Sequence, residues 1–135
     1  MMELPPTPKE LSRENMIRVS LPPFTTLNTM GFDICDTPYP KPEEIELDHE
    51  QIEMCKTWIT LFCVKRKSKN TVCSSYYLKH CVEKFARIID KEPTYIGNGS
   101  FIAAMIICGY NVWMVEHGSR NAYFNAKYLQ LSFGN

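Results

Sequence analysis

Apolar residues recur at helical spacing in the middle of the chain and predict two amphipathic helices. The first follows Asp48, which can cap it, with Gln51 in the capping-box position, and it should end near Val64. Its apolar stripe is formed by Ile52, Cys55, Ile59 and Phe62. The second helix starts at Ser74 or the residue after it and must stop before Pro93. Its stripe is formed by Leu78, Val82, Phe85 and Ile89.

A third, short helix is expected over residues 101–108, with Asn98 and Ser100 as caps and Gly109 just past its end. Every side of this helix is apolar, which is typical of a helix buried on most sides. A helix that reads base edges needs exposed Arg, Lys, Asn or Gln. This helix offers only Asn98 and Ser100, so it is poorly equipped for sequence-specific reading of DNA.

β-Branched and aromatic residues dominate after Gly109 and predict a C-terminal β-hairpin. Its strands are expected at residues 112–115 and 122–128, with a turn over residues 117–120 that places Arg120 at the tip. The predicted fold class is α+β and mainly helical, with a three-helix core and a C-terminal β-hairpin. This order of elements resembles that of a winged helix-turn-helix domain.

The N-terminal third of the chain is rich in proline. Eight of the nine prolines lie within residues 1–42, and their spacing excludes long helices there. Only residues 16–21 look like a short strand. We interpret residues 1–42 as an extended proline-rich arm that wraps the core or meets a partner. Residues 43–135 then form one helical domain that ends in the hairpin.

Charge is distributed unevenly, although the formal net charge is zero. Residues 1–64 hold eleven acidic and five basic side chains, whereas residues 65–135 hold four acidic and ten basic ones. Two interpretations remain open. Either the basic half presents an open face to an anionic partner, or the acidic half folds over it and neutralises it.

The densest run of charge occupies residues 65–69, in a segment predicted to be a loop between the first two helices. This loop either contacts phosphates or is a solvated connection. Together with the polar face of the second helix and the hairpin tip, it supplies the candidate nucleic-acid-binding residues. These are Lys65, Arg66, Lys67, Lys69, Lys79, Lys84, Arg87 and Arg120. Such side chains contact the phosphate backbone, so binding should be sensitive to salt and weakly selective for sequence.

The motifs do not favour catalysis, and we expect a protein that is not an enzyme and uses no cofactor or metal. His49, His80 and His117 lie apart from any nucleophile motif, and no phosphate-binding glycine loop is present. The six cysteines form no close pair, which favours free thiols in a reducing compartment. The longest apolar run has eight residues, against the ~20 of a membrane helix, so a cytoplasmic location is expected.

Three segments resemble parts of small uncharacterised proteins from bacterial phages and other mobile elements. They are residues 74–80, residues 98–104 with Gly109 and Tyr110, and residues 121–125. The resemblance covers about residues 56–128 and leaves out the proline-rich arm. It implies an accessory protein in the cytoplasm of a bacterial host. It also implies one of two roles, a small nucleic-acid-binding regulator or an inhibitor of host defence such as an anti-CRISPR protein.

The expected function is non-catalytic binding to nucleic acid or to a nucleoprotein complex. The alternative is inhibition of a host defence complex through protein–protein binding, in which the acidic N-terminal half imitates phosphates. A third hypothesis is a homodimer that uses Trp113, Tyr123 and Phe124. No membrane partner is expected.

Overall fold

A computed structural model describes residues 16–17, 21–35 and 45–129. The helices are α1 (His49–Phe62), α2 (Ser75–Ile88) and α3 (Asn98–Ile107). The strands are β1 (Met16–Ile17), β2 (Thr25–Asn28), β3 (Gly31–Ile34), β4 (Ile45–Glu46), β5 (Cys63–Asn70), β6 (Val112–Met114) and β7 (Ala122–Tyr128). The α+β class is confirmed, and the described chain is richer in strands than expected. None of the described helices is long and apolar enough to cross a membrane.

The start of α1 is tied to the start of α3. Asp48 caps α1 as predicted, because its side chain accepts hydrogen bonds from the backbone N–H groups of Glu50 and Gln51. Gln51, however, does not serve a capping box. Its Oε1 accepts hydrogen bonds from the backbone N–H of Gly97 at 2.8 Å and from Ser100 Oγ at 3.0 Å. The predicted capping residue thus joins two helices that are far apart in sequence.

Helix α3 is the centre of the core, as its apolar composition predicted. All residues from 98 to 105 are buried. The Phe101 ring contacts the rings of Trp58 and Phe124, at centroid distances of 5.9 and 5.8 Å. One face of α3 therefore packs on α1 and another on the C-terminal sheet.

The prediction that Asn98 and Ser100 cap α3 is wrong. The helix begins at Asn98, its N-cap is Gly97, and no side chain caps it. Asn98 Nδ2 instead donates to the backbone oxygens of Met30 and Arg120 and to the side-chain oxygen of Asn121. These two polar residues lie in the first turn of α3, where their side chains form hydrogen bonds with neighbouring segments that pack against the helix.

The region interpreted as an extended arm contains a β-hairpin. Strands β2 and β3 pair antiparallel, with Leu27 opposite Phe32, and both side chains are buried in the core. A Cβ atom on Gly99 would lie 1.7 Å from the carbonyl oxygen of Asn28, so the hairpin rests directly on α3. The arm interpretation missed this hairpin because two four-residue strands carry almost no periodicity. Residues 1–15, 18–20 and 36–44, which include the boundary at 42, lie outside the described residues.

Two further strand predictions concern residues 16–21 and the C-terminal hairpin. Of the short strand predicted over residues 16–21, Met16 and Ile17 form β1, which pairs with β4, whereas Leu21 belongs to no strand and residues 18–20 lie outside the described residues. The predicted C-terminal hairpin is confirmed as β6 and β7, with Trp113 opposite Tyr123. It is part of a larger sheet, because β5 pairs antiparallel with β7 and gives the strand order β5-β7-β6.

The prediction of a loop over residues 65–71 is wrong. Helix α1 ends at Phe62, two residues before the expected end, and the chain passes directly into β5. The basic run lies within this strand. A run of lysines lacks the alternation that marks a strand in sequence, and here β7 supplies the pairing that stabilises it. Among the described strands β5 is an edge strand, so none of them pairs with its outer backbone groups.

Candidate nucleic-acid interface

The basic run forms a large bulge in β5, with several extra residues on this strand. Lys65 pairs with Ala126 and Asn70 pairs with Phe124. Four residues of β5, 66–69, therefore lie opposite the single residue Asn125. We call these four residues the basic bulge. Bulges re-aim side chains away from a regular ladder and are frequent beside functional sites.

Arg66 braces the basic bulge from within. Its Nε donates to the carbonyl oxygen of Ser68 at 2.9 Å, and its Nη2 donates to that of Lys69 at 2.8 Å. The planar guanidinium suits two such acceptors at once. Arg66 therefore shapes the bulge, and its role differs from that of the lysines beside it.

Two asparagines fix the ends of the basic bulge to β7. Asn125 Nδ2 donates to the carbonyl oxygen of Arg66 at 3.1 Å, and Asn70 Nδ2 donates to that of Ala126 at 2.8 Å. Asn125 Oδ1 also accepts the backbone N–H of Asn111 at 2.7 Å. The bulge is thus held at both ends and linked to the segment that leads into β6.

Two lysines of β5, Lys65 and Lys69, lie beside aromatic rings. Lys65 Nζ is 5.7 Å from the centroid of the Tyr110 ring, and Lys69 Nζ is 6.0 Å from that of Trp113. Both distances are within the range of cation–π attraction. Lys67, between them, is exposed. The bulge therefore presents ammonium groups next to flat apolar surfaces.

Lys65 also lies close to the end of α3. Gly109 follows that helix with a φ of +91°, as the predicted position beyond the helix end requires. A Cβ atom there would lie 2.7 Å from Lys65 Nζ. A cation at the C-terminus of a helix is stabilised by the negative end of the helix dipole. Glycine therefore gives Lys65 the space to reach this position.

The cations of this sheet form no ion pair with a carboxylate in the part of the chain that the structure describes. The three strands carry Lys65, Arg66, Lys67, Lys69 and Lys127 and no acidic residue. Each ion pair of the described residues joins two residues of the same helix. These pairs involve Glu53 in α1 and Glu83 in α2. Among those residues, the acidic half of the chain does not neutralise the basic half by direct pairing. Lysines on an edge strand also discourage pairing with another sheet.

Lys79 does not belong to this surface, and the expectation that it lies on an exposed polar face is wrong. Its side chain is buried, and its Nζ is 3.2 Å from Glu83 Oε2. The ammonium also lies 5.3 Å from the Tyr76 ring centroid and 5.1 Å from that of Tyr95. The helix stripe assigned Lys79 to the polar face, but the segment that carries Tyr95 covers it.

Glu83 collects three hydrogen bonds. It accepts them from Lys79, from His80 Nδ1 at 2.7 Å and from the backbone N–H of Ile96 at 3.0 Å. Burial by itself would raise the pKa of Glu83. The bonds from Ile96, Lys79 and His80 outweigh burial and lower the pKa below its usual value. Glu83 is therefore a structural anion that fixes α2 to the segment before α3.

The other predicted residues lie away from the basic bulge. Lys84 and Arg87 belong to α2, and within the described part of the chain no hydrogen bond, ion pair or ring contact links them to β5. Arg120 lies in the turn between β6 and β7, as predicted, and its carbonyl oxygen accepts the backbone N–H of Phe32. Of the eight predicted residues, the structure brings together only the four of β5.

Two further predictions concern the homodimer surface and the cysteines. Phe124 is fully buried, so it cannot contribute to a homodimer surface with Trp113 and Tyr123. None of the six cysteines forms a disulfide bond within the described structure, and burial raises the pKa of Cys63 to about 12. No group of three metal-ligating side chains is found among the residues that the structure describes.

Sequence reasoning missed several residues of this region. Lys127 lies opposite Val64 in the register of β5 and β7, and Asn125 holds the bulge. Tyr110 is buried beside Lys65, and burial raises its pKa to about 12. The only signal for Asn125 was its position between Phe124 and Ala126 in a mainly apolar and aromatic strand, where a polar amide needs a partner.

Comparison with known proteins adds no relative. No family model matches the chain, and no curated protein or solved structure matches it significantly.

Proposed function

We propose that the protein is a non-catalytic nucleic-acid-binding protein of a phage or mobile element that acts in the cytoplasm. It binds the phosphate backbone through the basic bulge and Lys65. The observation that carries the proposal is a cluster of lysines beside Tyr110 and Trp113 that forms no ion pair with any carboxylate of the described residues. Ammonium groups bind phosphates as point charges, and the half-buried Trp113 ring offers a surface on which a base can stack.

The order of elements supports a winged-helix type of domain. The elements follow one another in the order α1, β5, α2, α3 and the β6–β7 hairpin, and β5 pairs with β7. In a winged helix the third helix enters the major groove. Helix α3 is buried, so in our proposal the contact passes from this helix to the sheet. Binding then depends on phosphates and not on base sequence.

The salt dependence of binding tests the phosphate contacts. Each phosphate that is neutralised contributes about 0.7–0.9 to the slope of log K against log salt concentration. Replacing Lys67 and Lys69 together with alanine should lower that slope by about 1.4–1.8 and weaken binding to all sequences alike. Affinity for a fluorescently labelled oligonucleotide, measured at four salt concentrations, gives both quantities.

The matched control removes the same charge from α2. Lys84→Ala combined with Arg87→Ala should leave the slope unchanged, because these residues lie outside the bulge. An equal loss in both double variants would mean that binding follows net charge and not this site. Absence of any binding by the unaltered protein at low salt would reject the proposal.

A protein target is the second candidate, and a cluster of exposed apolar side chains near β5 favours it. Leu61, Val64 and Leu129 are each about half exposed, and the backbone N–H of Leu129 donates to the carbonyl oxygen of Phe62. Such a corner beside cations suits a protein partner, for example a host defence complex. Recovery of one host protein from nuclease-treated bacterial lysate would favour this function, and its loss in Val64→Asp would assign it to this corner.

A further inference from the structure

We infer that the groove beside the basic bulge receives an unstacked base, so that the nucleic acid bound is single-stranded. This inference rests on the proposed function and specifies its ligand. The proposed function needs only phosphate contacts, which a duplex also offers. The inference adds a contact with a base, and the two can therefore fail separately.

The groove lies between the end of α3 and β6 and measures about 640 Å³. The groove is largely open to solvent, so a base can enter it while it stays attached to its strand. Its walls combine apolar and polar surface, and the apolar share is somewhat larger. The lining residues are Leu21, Pro22, Ile106, Gly109, Tyr110, Asn111, Val112 and Trp113.

The two aromatic residues of the groove are the residues that the flanking lysines contact. Lys65 lies against Tyr110 and Lys69 against Trp113, as described above. A base that enters the groove can stack on the half-buried Trp113, while the phosphates on its two sides reach the lysines. Alternation of stacking surface and cation is the pattern by which proteins hold single strands.

Asn111 supplies a polar group to the groove. Its backbone N–H is held by Asn125 Oδ1 at 2.7 Å, whereas its exposed side-chain amide makes no hydrogen bond within the described part of the chain. An amide both donates and accepts, so it can pair with the edge of any base. The groove therefore predicts binding with little preference among bases.

A duplex does not meet these requirements. Its bases are paired and stacked, so none reaches the groove unless the protein also supplies the energy of unstacking, which amounts to a few kcal/mol per base. A duplex can contact only the lysines. We therefore expect the single strand to bind at least fivefold more tightly, the lower end of the contribution of one base stacked on an aromatic ring.

Tryptophan fluorescence tests the inference directly. The chain has two tryptophans, and Trp58 is fully buried in the core, so quenching by a ligand reports on Trp113. Oligothymidylate should quench this fluorescence on binding, whereas its duplex with oligoadenylate and thymidine monophosphate should quench it little. Anisotropy of labelled strands gives the affinities in parallel.

Two variants separate stacking from charge. Trp113→Ala should lower affinity for the single strand about fivefold or more and leave affinity for the duplex unchanged. Trp113→Phe keeps a ring and should retain most of the affinity. Asn111→Ala should cause a smaller loss of affinity for the single strand. Because Asn111 is exposed, this variant tests the groove even if Trp113→Ala fails to fold.

Three results would overturn the inference. Equal affinity for duplex and single strand, with no effect of Trp113→Ala, would leave a lysine site without a base site. Thymidine monophosphate that binds as tightly as the oligonucleotide would make the groove a site for free nucleotides. Absence of binding to every nucleic acid would reject the inference and the proposed function together.

Discussion

Glu83 carries a buried charge that two helical side chains and one backbone N–H stabilise. Glu83→Gln should destabilise the protein by about 3 kcal/mol, since the buried Lys79 ammonium then loses its counter-ion. Glu53→Gln, in an exposed pair of α1, should cost less than about 1 kcal/mol. Urea denaturation at pH 7 measures both. A small loss in Glu83→Gln would mean that the tyrosine rings alone stabilise Lys79.

The pH dependence of stability should carry the same signature. The pKa of Glu83 is lower in the folded protein than its usual value of 4.5, so the folded state binds this proton less readily than the unfolded state. The contribution of Glu83 is therefore complete above about pH 4.5 and is lost as the pH falls through the folded-state pKa. The difference between wild type and Glu83→Gln should shrink between pH 6 and pH 3. A difference that stays constant over this interval contradicts the assignment.

Arg66 acts on binding through the shape of the bulge. Arg66→Lys keeps the charge but cannot donate two fixed hydrogen bonds to Ser68 and Lys69, which should cost about 1 kcal/mol. Amide hydrogen exchange in residues 66–70 should accelerate, and affinity for nucleic acid should fall. Lys67→Arg is the matched control and should change neither quantity. Unchanged exchange in Arg66→Lys would show that the asparagines alone hold the bulge.

At the scale of elements, the β2–β3 hairpin is fitted to α3 without space for a methyl group. Gly99→Ala places a Cβ 1.7 Å from the oxygen of Asn28, so the hairpin must move. Overpacking of this kind costs about 1–3 kcal/mol. At Gly97 the nearest atom is 3.0 Å away, and Gly97→Ala should be milder. Thermal denaturation ranks the two variants, and the reverse order would contradict this packing.

The elements that sequence predicted well are those with strong local patterns. Helices α1 and α2 carry apolar stripes and Asp48 caps the first, while β6 and β7 are rich in aromatic and β-branched residues. The β2–β3 hairpin and β5 have no such pattern. Strand β5 exists because β7 lies beside it, and pairing over 56 residues of sequence separation leaves no mark in a local window.

The candidate site was predictable only in part for the same reason. Charge density alone identified Lys65, Arg66, Lys67 and Lys69. Charge density could not show that Arg66 holds the bulge together while the lysines stay exposed. That difference depends on the carbonyl oxygens to which Arg66 donates, and the shape of the bulge sets their positions. Lys79 was misassigned because a helical stripe describes one helix and not the segment that packs across it.

At the scale of the whole molecule, the N-terminal hairpin is part of the core. Removing residues 1–44 should expose α3 and produce a protein that binds a hydrophobic dye and unfolds without a cooperative transition. Phe32→Ala in the full chain should cost about 3–5 kcal/mol, because Phe32 is almost fully buried. An extended arm on the surface would give the opposite result, with a stable truncated protein and a neutral substitution.

The four-against-one bulge has a consequence for how the chain tolerates change in length. Asn125 and Asn70 clamp the two ends of the bulge to β7, and the register of β5 against β7 shifts by three residues between Lys65 and Asn70. Insertions or deletions between the two clamps are absorbed outside the core, as in a surface loop. The edge of this sheet is therefore the place where new recognition sequences can be grafted onto the protein with little cost to folding.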